Sequence, residues 1–255
     1  MHRLSSEATS WGNELCMVAQ ESYPSPTLRA NRVSENRSAT LEEALQKFSQ
    51  QVPAEQLEQL DRYCQLLWDW NSRMNLTRHT DYDLFVSRDL LDTLRLATHL
   101  RADTDVLDVG TGGGVPGVLL AILRPDLRVS LAESVGKKAK AVDDIVGQLD
   151  LPVPVYAARA ESILDDFRFD TLVARAVGPL WKMMKWFEDH WASIGELLLI
   201  KGPGWVDERA EARHRGWTKQ VALRKIDSYP TPGRDQDSVI LRLVFSATAE
   251  RETLE

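Results

Sequence analysis

Residues 106–117 read Val106-Leu-Asp-Val-Gly-Thr-Gly-Gly-Gly-Val-Pro-Gly117, and the apolar run Val118 to Leu123 comes directly after. Val106, Leu107 and Val109 have the pattern of a short buried strand. Gly110, Gly112, Gly113 and Gly114 then arrive within five positions, and a helix opens near Pro116. A turn without side chains between a parallel strand and a helix N-terminus lets a ligand press against bare backbone, with N–H groups turned outward. Glycine alone is equally compatible with a merely tight turn. The next strand-like run, Arg128 to Glu133, separates the two readings. It ends in an acid about 25 residues after Asp108, near the roughly 20-residue offset at which a carboxylate meets a ribose.

Two nucleoside cofactors fit this frame. Gly112-x-Gly114-x-x-Gly117 satisfies the dinucleotide pattern G-x-G-x-x-G, whereas Asp108-x-Gly110-x-Gly112-x-Gly114 fits the D-x-G-x-G-x-G loop of S-adenosylmethionine enzymes. Pro116 inside the would-be helix turn and Asp108 ahead of the first glycine favour S-adenosylmethionine.

The rest of the chain bounds the answer. At 255 residues and 43% hydrophobic, it can form one large α/β domain or a small domain with a larger one. Val115 to Leu123 is far too short to span a bilayer, and no charged-then-apolar signal segment opens the sequence. Cys16 and Cys64 are too few for a disulfide framework or a zinc site, and the five histidines have no ligand spacing. The expectation is a soluble cytoplasmic protein without metal. A formal charge of −7 argues against a surface that coats nucleic acid, so any nucleic-acid function must rest on a local basic patch.

Residues 1–39 carry Pro24 and Pro26, balanced charge and no period, and are expected to be a disordered extension; Glu7, Glu14, Glu21 and Glu35 speak against a transit peptide. Thr40-Leu-Glu-Glu43 is a capping box. Pro53 suits the first turn of a second helix with the stripe Leu57, Leu60, Cys64 and Leu67, and a third helix runs from about Asp81 to His99. Residues 40–100 thus form a helical subdomain that must pack on the larger domain C-terminal to it. From 101 to 246, strands near 105–109, 128–133, 153–157, 169–174 and 195–201 alternate with helices that include 137–149, 179–192 and 206–215. Runs 219–226 and 238–245 flank Tyr229-Pro-Thr-Pro-Gly233 with no helix between them, so they pair antiparallel; 247–255 is a tail. The fold class is α/β: a Rossmann-like class I S-adenosylmethionine methyltransferase fold, seven-stranded and mostly parallel with an antiparallel terminal hairpin, plus the N-terminal helices.

Ligands in such sheets bind beyond the carboxyl ends of the strands. Asp108, Gly110, Gly112, Gly114 and Val115 lie there, with Glu133 for the ribose and Ala160 and Glu161 for the adenine edge. Glu133 also reads as a solvated strand-end acid, and Glu161 as an acid favoured by a helix N-terminus. Arg175 comes after an apolar strand and needs a partner, either a ligand, an RNA phosphate or an internal carboxylate. Lys137, Lys138 and Lys140 sit at a helix N-terminus, against its dipole, which suits an anionic partner as well as an ordinary solvated face. Ala174-Arg175-Ala176-Val177 occupies the place of the Asn/Asp-Pro-Pro-aromatic tetrad of exocyclic-amine methylation, and no Pro-Cys nucleophile is present. An acceptor with a free lone pair, such as guanine N7, needs alignment and exclusion of water but no catalytic base.

These residues resemble the RsmG (GidB) family of bacterial 16S rRNA guanine-N7 methyltransferases over about 41–245. The likeness rests on Trp70-Asn…Asn75-Leu-Thr77, Asp108-Val-Gly-Thr-Gly…Val115-Pro-Gly117, Arg124-Pro125, Glu133-Ser…Gly136-Lys137-Lys138, Arg159-Ala-Glu161, Arg175-Ala176 and Lys201-Gly202. The resemblance implies cofactor contacts at Gly110, Val115, Ala160, Glu161 and Arg175. It also implies contact with the RNA substrate at Asn75, Arg88, Arg124, Lys137, Lys138 and Lys201, and a monomer acting on 16S rRNA or the 30S subunit. Three positions depart from the family: Gly113 stands for a proline, Asp89 for a common histidine, and Arg234-Asp-Gln-Asp237 for a more basic segment. A methyltransferase for a small molecule or protein, and a catalytically silent RNA-binding or assembly protein of this fold, remain the rival readings.

Overall fold

The computed structural model describes residues 37–245; residues 1–36 of the expected extension and the tail at 247–255 lie outside the described residues. Three helical stretches come first among the described residues: α1 (Leu41–Lys47), α2 (Ala54–Asn71), and α3, which runs through Tyr82–Leu84, a wider π-helical stretch at Phe85–Leu90, and Leu91–Ala97. The Thr40 hydroxyl accepts the Glu43 N–H at 3.2 Å and the Glu43 carboxylate accepts the Ala39 N–H at 2.7 Å, a local cap that fixes where α1 starts. Asp81 does the same for α3 through the Leu84 N–H.

Strands and helices then alternate: β1 (Asp105–Val109), α4 (Gly117–Leu123), β2 (Arg128–Ala132), α5 (Gly136–Gln148), β3 (Val155–Tyr156), α6 (Ala160–Leu164), β4 (Phe169–Arg175), α7 (Leu180–Trp186), β5 (Ile194–Lys201), α8 (Trp205–His214), β6 (Val221–Tyr229) and β7 (Ser238–Phe245). The sheet order is β3-β2-β1-β4-β5-β7-β6. β1 to β5 are parallel, and β7 enters antiparallel between β5 and β6. This is the expected seven-stranded α/β sheet with an antiparallel terminal hairpin. Strand order reverses between β1 and β4, which leaves a crevice at their carboxyl ends. The expected helix at 179–192 is shorter, ending at Trp186, with a 3₁₀ turn at Trp191–Ser193.

The central strands are apolar on both faces because helices cover both. Val173, Leu198 and Ile240 point to one face, and Leu172, Leu197, Leu199 and Leu241 to the other. The first face is covered by α4, α5 and the N-terminal helices, so Leu41, Leu60, Phe85 and Leu96 share one continuous core with the sheet. The helical segment would expose that stripe if it stood alone.

Gly117 sets how closely β1, β2 and α4 approach. A Cβ there would lie 2.2 Å from Leu131 Cδ2 and 2.8 Å from Asp108 Cβ. Gly114 needs its hydrogen for a second reason, since its φ is +102°. Gly117→Ala should therefore cost about 1–3 kcal/mol, the usual penalty for forcing a methyl into a filled core. Urea denaturation reads it, and an unmoved midpoint would mean that this contact yields without strain.

Candidate active site

The glycine loop is tied inward more than its composition suggests. Gly110 and Thr111 both donate to the Ala132 carbonyl, at 2.8 and 3.1 Å, while Gly114 and Val115 donate to that of Thr111. Gly112 donates to Glu133 Oε2 at 3.1 Å and Gly117 to Asp108 Oδ2 at 2.9 Å. The expectation of N–H groups turned outward is corrected accordingly: the loop presents close-lying backbone, but most of its amides already have protein partners. Glu133 is buried, and its other oxygen accepts the Val135 N–H at 2.8 Å. It is not a solvated strand-end acid; it staples the end of β2 to the loop, and each carboxylate oxygen retains capacity for a further donor.

Asp108 is fully buried. Its Oδ2 accepts from the Thr111 hydroxyl at 2.6 Å and from Gly117, while Oδ1 is buried without a hydrogen-bond partner. Burial pushes this carboxyl up to about 6 despite those two donors. An unmade acceptor beside a glycine cradle suits a ligand that carries a donor, such as the ammonium group of an amino-acid moiety.

A cavity of about 620 Å³ opens along the loop, in the size range of small-molecule sites. Gly110, Gly112 and Val115 form one wall, and Leu67, Leu76, Thr77, Arg78 and His79 from the helical segment another. Arg88 and Asp92 of α3, Arg175 of β4, Lys201 of β5, and Thr231, Arg234 and Ser238 from the terminal hairpin complete it. The absence of side chains along the loop leaves this hollow open rather than plugged. Glu133, Ala160 and Glu161 stand outside its wall, on the β2–β3 flank of the loop, with Ala160 buried in the first turn of α6.

Arg175 has found internal carboxylates. It pairs with Asp89 at 2.6 Å and with Asp92 Oδ2 at 3.3 Å. Asp89 also meets His79 Nδ1 at 2.8 Å, and Asp92 Oδ1 accepts from the Tyr229 hydroxyl at 2.8 Å. Burial works against the guanidinium charge, but the two acids outweigh it and hold its pKa above the ordinary value. Burial likewise raises Asp92, offset in part by Arg175 and Tyr229. Arg175 still borders the cavity, so it contributes a held, directional charge rather than a free one.

Two residues expected at RNA are engaged elsewhere. Arg124 is only 4% exposed; it forks onto Asp126 at 2.6 and 2.7 Å and donates to the carbonyls of Ala97 and Leu100. That corrects its reading as an RNA contact: it locks α4 to the end of α3. The Lys201 ammonium lies in the cavity wall but is buried between the Gly178 carbonyl and Glu208 Oε2, the latter at 2.8 Å. Asn75, Lys137 and Lys138 stand off the cavity wall, with Asn75 and Lys137 exposed. Arg88 lies in the wall. Asn71, to which the sequence alone assigns no role, accepts the N–H groups of Leu76 and Thr77 and so shapes the corner that carries Arg78 and His79 to the cavity. Asp89 and Asp92, three apart on one helix face, were the available signal for the partner of Arg175.

Known proteins share this chain's sequence over most of its length. The profile of the GidB family, described as rRNA small subunit methyltransferase G, matches residues 56–236. The protein named ribosomal RNA small subunit methyltransferase G from Rhodopirellula baltica is 54% identical over 192 residues, covering 75% of this chain and 83% of that one. Its namesake from Chromobacterium violaceum is 35% identical over 209 residues, covering 82% and 98%.

The buried acid behind the loop gives a pH test. In the folded protein Asp108 holds its proton up to about 6, against 3.8 ordinarily, so the folded state binds more protons across that window. The contribution of this group to stability therefore falls as pH rises from about 4 to above 6. Asp108→Asn keeps an oxygen for Gly117 and removes the buried charge. It should stabilise the protein by about 1–3 kcal/mol at pH 8 and by nothing at pH 4. Paired urea titrations at the two pH values check this, and a loss of stability at pH 8 would overturn it.

Proposed function

The chain belongs to the GidB family of rRNA small subunit methyltransferases, and from this premise we propose that it transfers the methyl group of S-adenosylmethionine to N7 of a guanine in 16S rRNA. The observation that carries this reading is a cationic cavity set against a glycine loop. Arg78, His79, Arg88, Arg175, Lys201 and Arg234 line it with only Asp92 and Glu208 as acids, in a protein whose net charge is −7. This is the local patch that nucleic-acid binding by an acidic protein requires.

Asp108, Gly110, Gly112, Gly114 and Val115 would hold the cofactor against the loop, with Glu133 on the ribose hydroxyls and Ala160 and Glu161 at the adenine. Bound there, S-adenosylmethionine supplies an electrophilic methyl group. Arg175, fixed by Asp89 and Asp92, orients what enters the cavity beyond β4. Both carboxylates of the wall are engaged, Asp92 by Arg175 and Tyr229, Glu208 by Lys201. Neither wall carboxylate is therefore held in reserve as a base, which suits an acceptor whose lone pair is already free. What the protein contributes is alignment and the exclusion of water. Asn75, Lys137 and Lys138 would meet RNA outside the cavity. We further place the protein in the cytoplasm as a monomer, acting on 16S rRNA free or within the 30S subunit.

Tritiated S-adenosylmethionine should label 16S rRNA, offered as 30S subunits or naked RNA, with N7-methylguanine as the product. No label in any rRNA, or label in a metabolite extract alone, would refute the acceptor. Glu133→Gln should weaken S-adenosylmethionine binding by about 1.5–3 kcal/mol, one hydrogen bond to a charged group, with the single amide oxygen left to accept from Gly112 or Val135 but not from both. An unchanged dissociation constant in calorimetry would release Glu133 from the ribose.

A further inference from the structure

We propose that Arg88 and Arg234 together form a binding site for one backbone phosphate of the RNA substrate, at the rim of the cavity. The site rests on the reading of the chain as an RNA methyltransferase and names two of the groups that would hold the strand.

Arg88 projects from the π-helical stretch of α3. Its Nη1 is buried yet has no hydrogen-bond partner, and Nη2 lies 3.7 Å from where a Cβ on Gly233 would stand. A buried guanidinium N–H left unmade is costly and calls for an acceptor. Arg234 is the next residue after Gly233, so a second guanidinium enters the same corner. Its Nη1 lies 3.8 Å from the position of a Cβ on Gly202, across the cavity wall. Burial first, and Arg234 second, lowers the pKa of Arg88, while the more distant Asp92 and Asp89 act the other way. Two like charges set together with a buried donor unfilled make a place for an anion.

Two neighbouring cations, Arg175 and Lys201, differ in this respect. Arg175 is taken by Asp89 and Asp92, and Lys201 by Glu208. Among the described residues no carboxylate lies within ion-pair distance of Arg88 or Arg234. Asp237, close in sequence, accepts from the Ser228 hydroxyl at 3.0 Å instead. The loop that carries Arg234 is also held in place. The Thr231 and Ser238 hydroxyls are buried and bonded to each other at 2.7 Å, and the Arg234 N–H donates to the Thr231 carbonyl at 3.0 Å. Arg88 is half-buried and Arg234 exposed, a gradient from cavity to solvent. That suits a phosphate whose nucleotide continues inward, and two planar forks fit its oxygens from two sides.

Binding of a 16S rRNA transcript, read by filter retention over a series of salt concentrations, tests the site in the full-length protein. Arg234→Ala should weaken binding about tenfold and reduce the salt slope by part of one ion, since Arg88 still meets the phosphate. Arg234→Lys should keep the slope. The double variant with Arg88→Ala should lose about one ion in total rather than two, because both side chains serve the same phosphate. S-adenosylmethionine affinity, measured by calorimetry, should remain within twofold. An unaltered affinity and slope in Arg234→Ala would overturn the proposal, as would a loss confined to S-adenosylmethionine binding, which would assign the anion to the cofactor carboxylate. If Arg88→Ala melts early, the exposed Arg234 still carries the test. RNA binding is read without methyl transfer, so a wild-type protein that bound rRNA and methylated none would sink the methyltransferase reading while the slopes still decided the phosphate site.

Discussion

The ion cluster around Arg175, with Asp89 buried and Arg175 and Asp92 partly so, joins the parts of the chain that make the site. Asp89 and Asp92 come from the N-terminal helices, Arg175 from the end of β4, and Tyr229 from the last residue of β6. A buried ion pair of this kind contributes little net stability, since desolvation offsets most of the Coulombic gain. What it does contribute is position. Removing Arg175 would leave Asp89 and Asp92 without their shared counter-charge, so the cluster holds all three segments to one geometry. The cavity exists between those segments, and its walls are only as well placed as this cluster makes them.

A second consequence is electrostatic. The protein is acidic overall, yet its cavity wall collects six cationic or ionisable basic side chains against two acids. Pairing Arg175 and Lys201 internally removes them as strong attractors for solvent anions, while Arg78, Arg88 and Arg234 remain unmatched. A charged corner set in a low-dielectric wall focuses field more sharply than the same charges spread on a surface. Negative charge elsewhere then disfavours indiscriminate adhesion to nucleic acid and leaves affinity concentrated at one mouth.

Much of this was legible in the linear sequence, for reasons that are local. The strand–glycine–helix run at 106–123, the parallel alternation, and the terminal hairpin all depend on short-range patterning and turn chemistry, and the structure has them in place. The uses of individual charged groups were not legible. Arg124 and Lys201 look like surface cations, but their partners are Asp126, two carbonyls from the end of α3, and Glu208, and only tertiary packing brings these together. The loop amides failed in the same way. Glycine content announces accessible backbone, while whether Gly112 donates to Glu133 depends on where β2 ends relative to β1. The π-helical stretch at 85–90 left no sequence mark that separates it from an ordinary amphipathic helix.

Asp89 illustrates how a departure in sequence can be absorbed by geometry. Where the resembling family commonly carries histidine, a carboxylate reads as the loss of a basic group from a nucleic-acid site. In the folded chain Asp89 is almost wholly buried and meets both Arg175 and His79. The acid therefore adds no exposed negative charge at the mouth of the cavity; it fixes Arg175 in the wall and draws His79 to its edge. The positive character that substrate meets is set by the groups without acidic partners, Arg78, Arg88 and Arg234, and the last two come from a helix and a hairpin with six of the seven strands between them in sequence. The acidic protein keeps a basic mouth because burial and pairing decide which of its charges reach solvent.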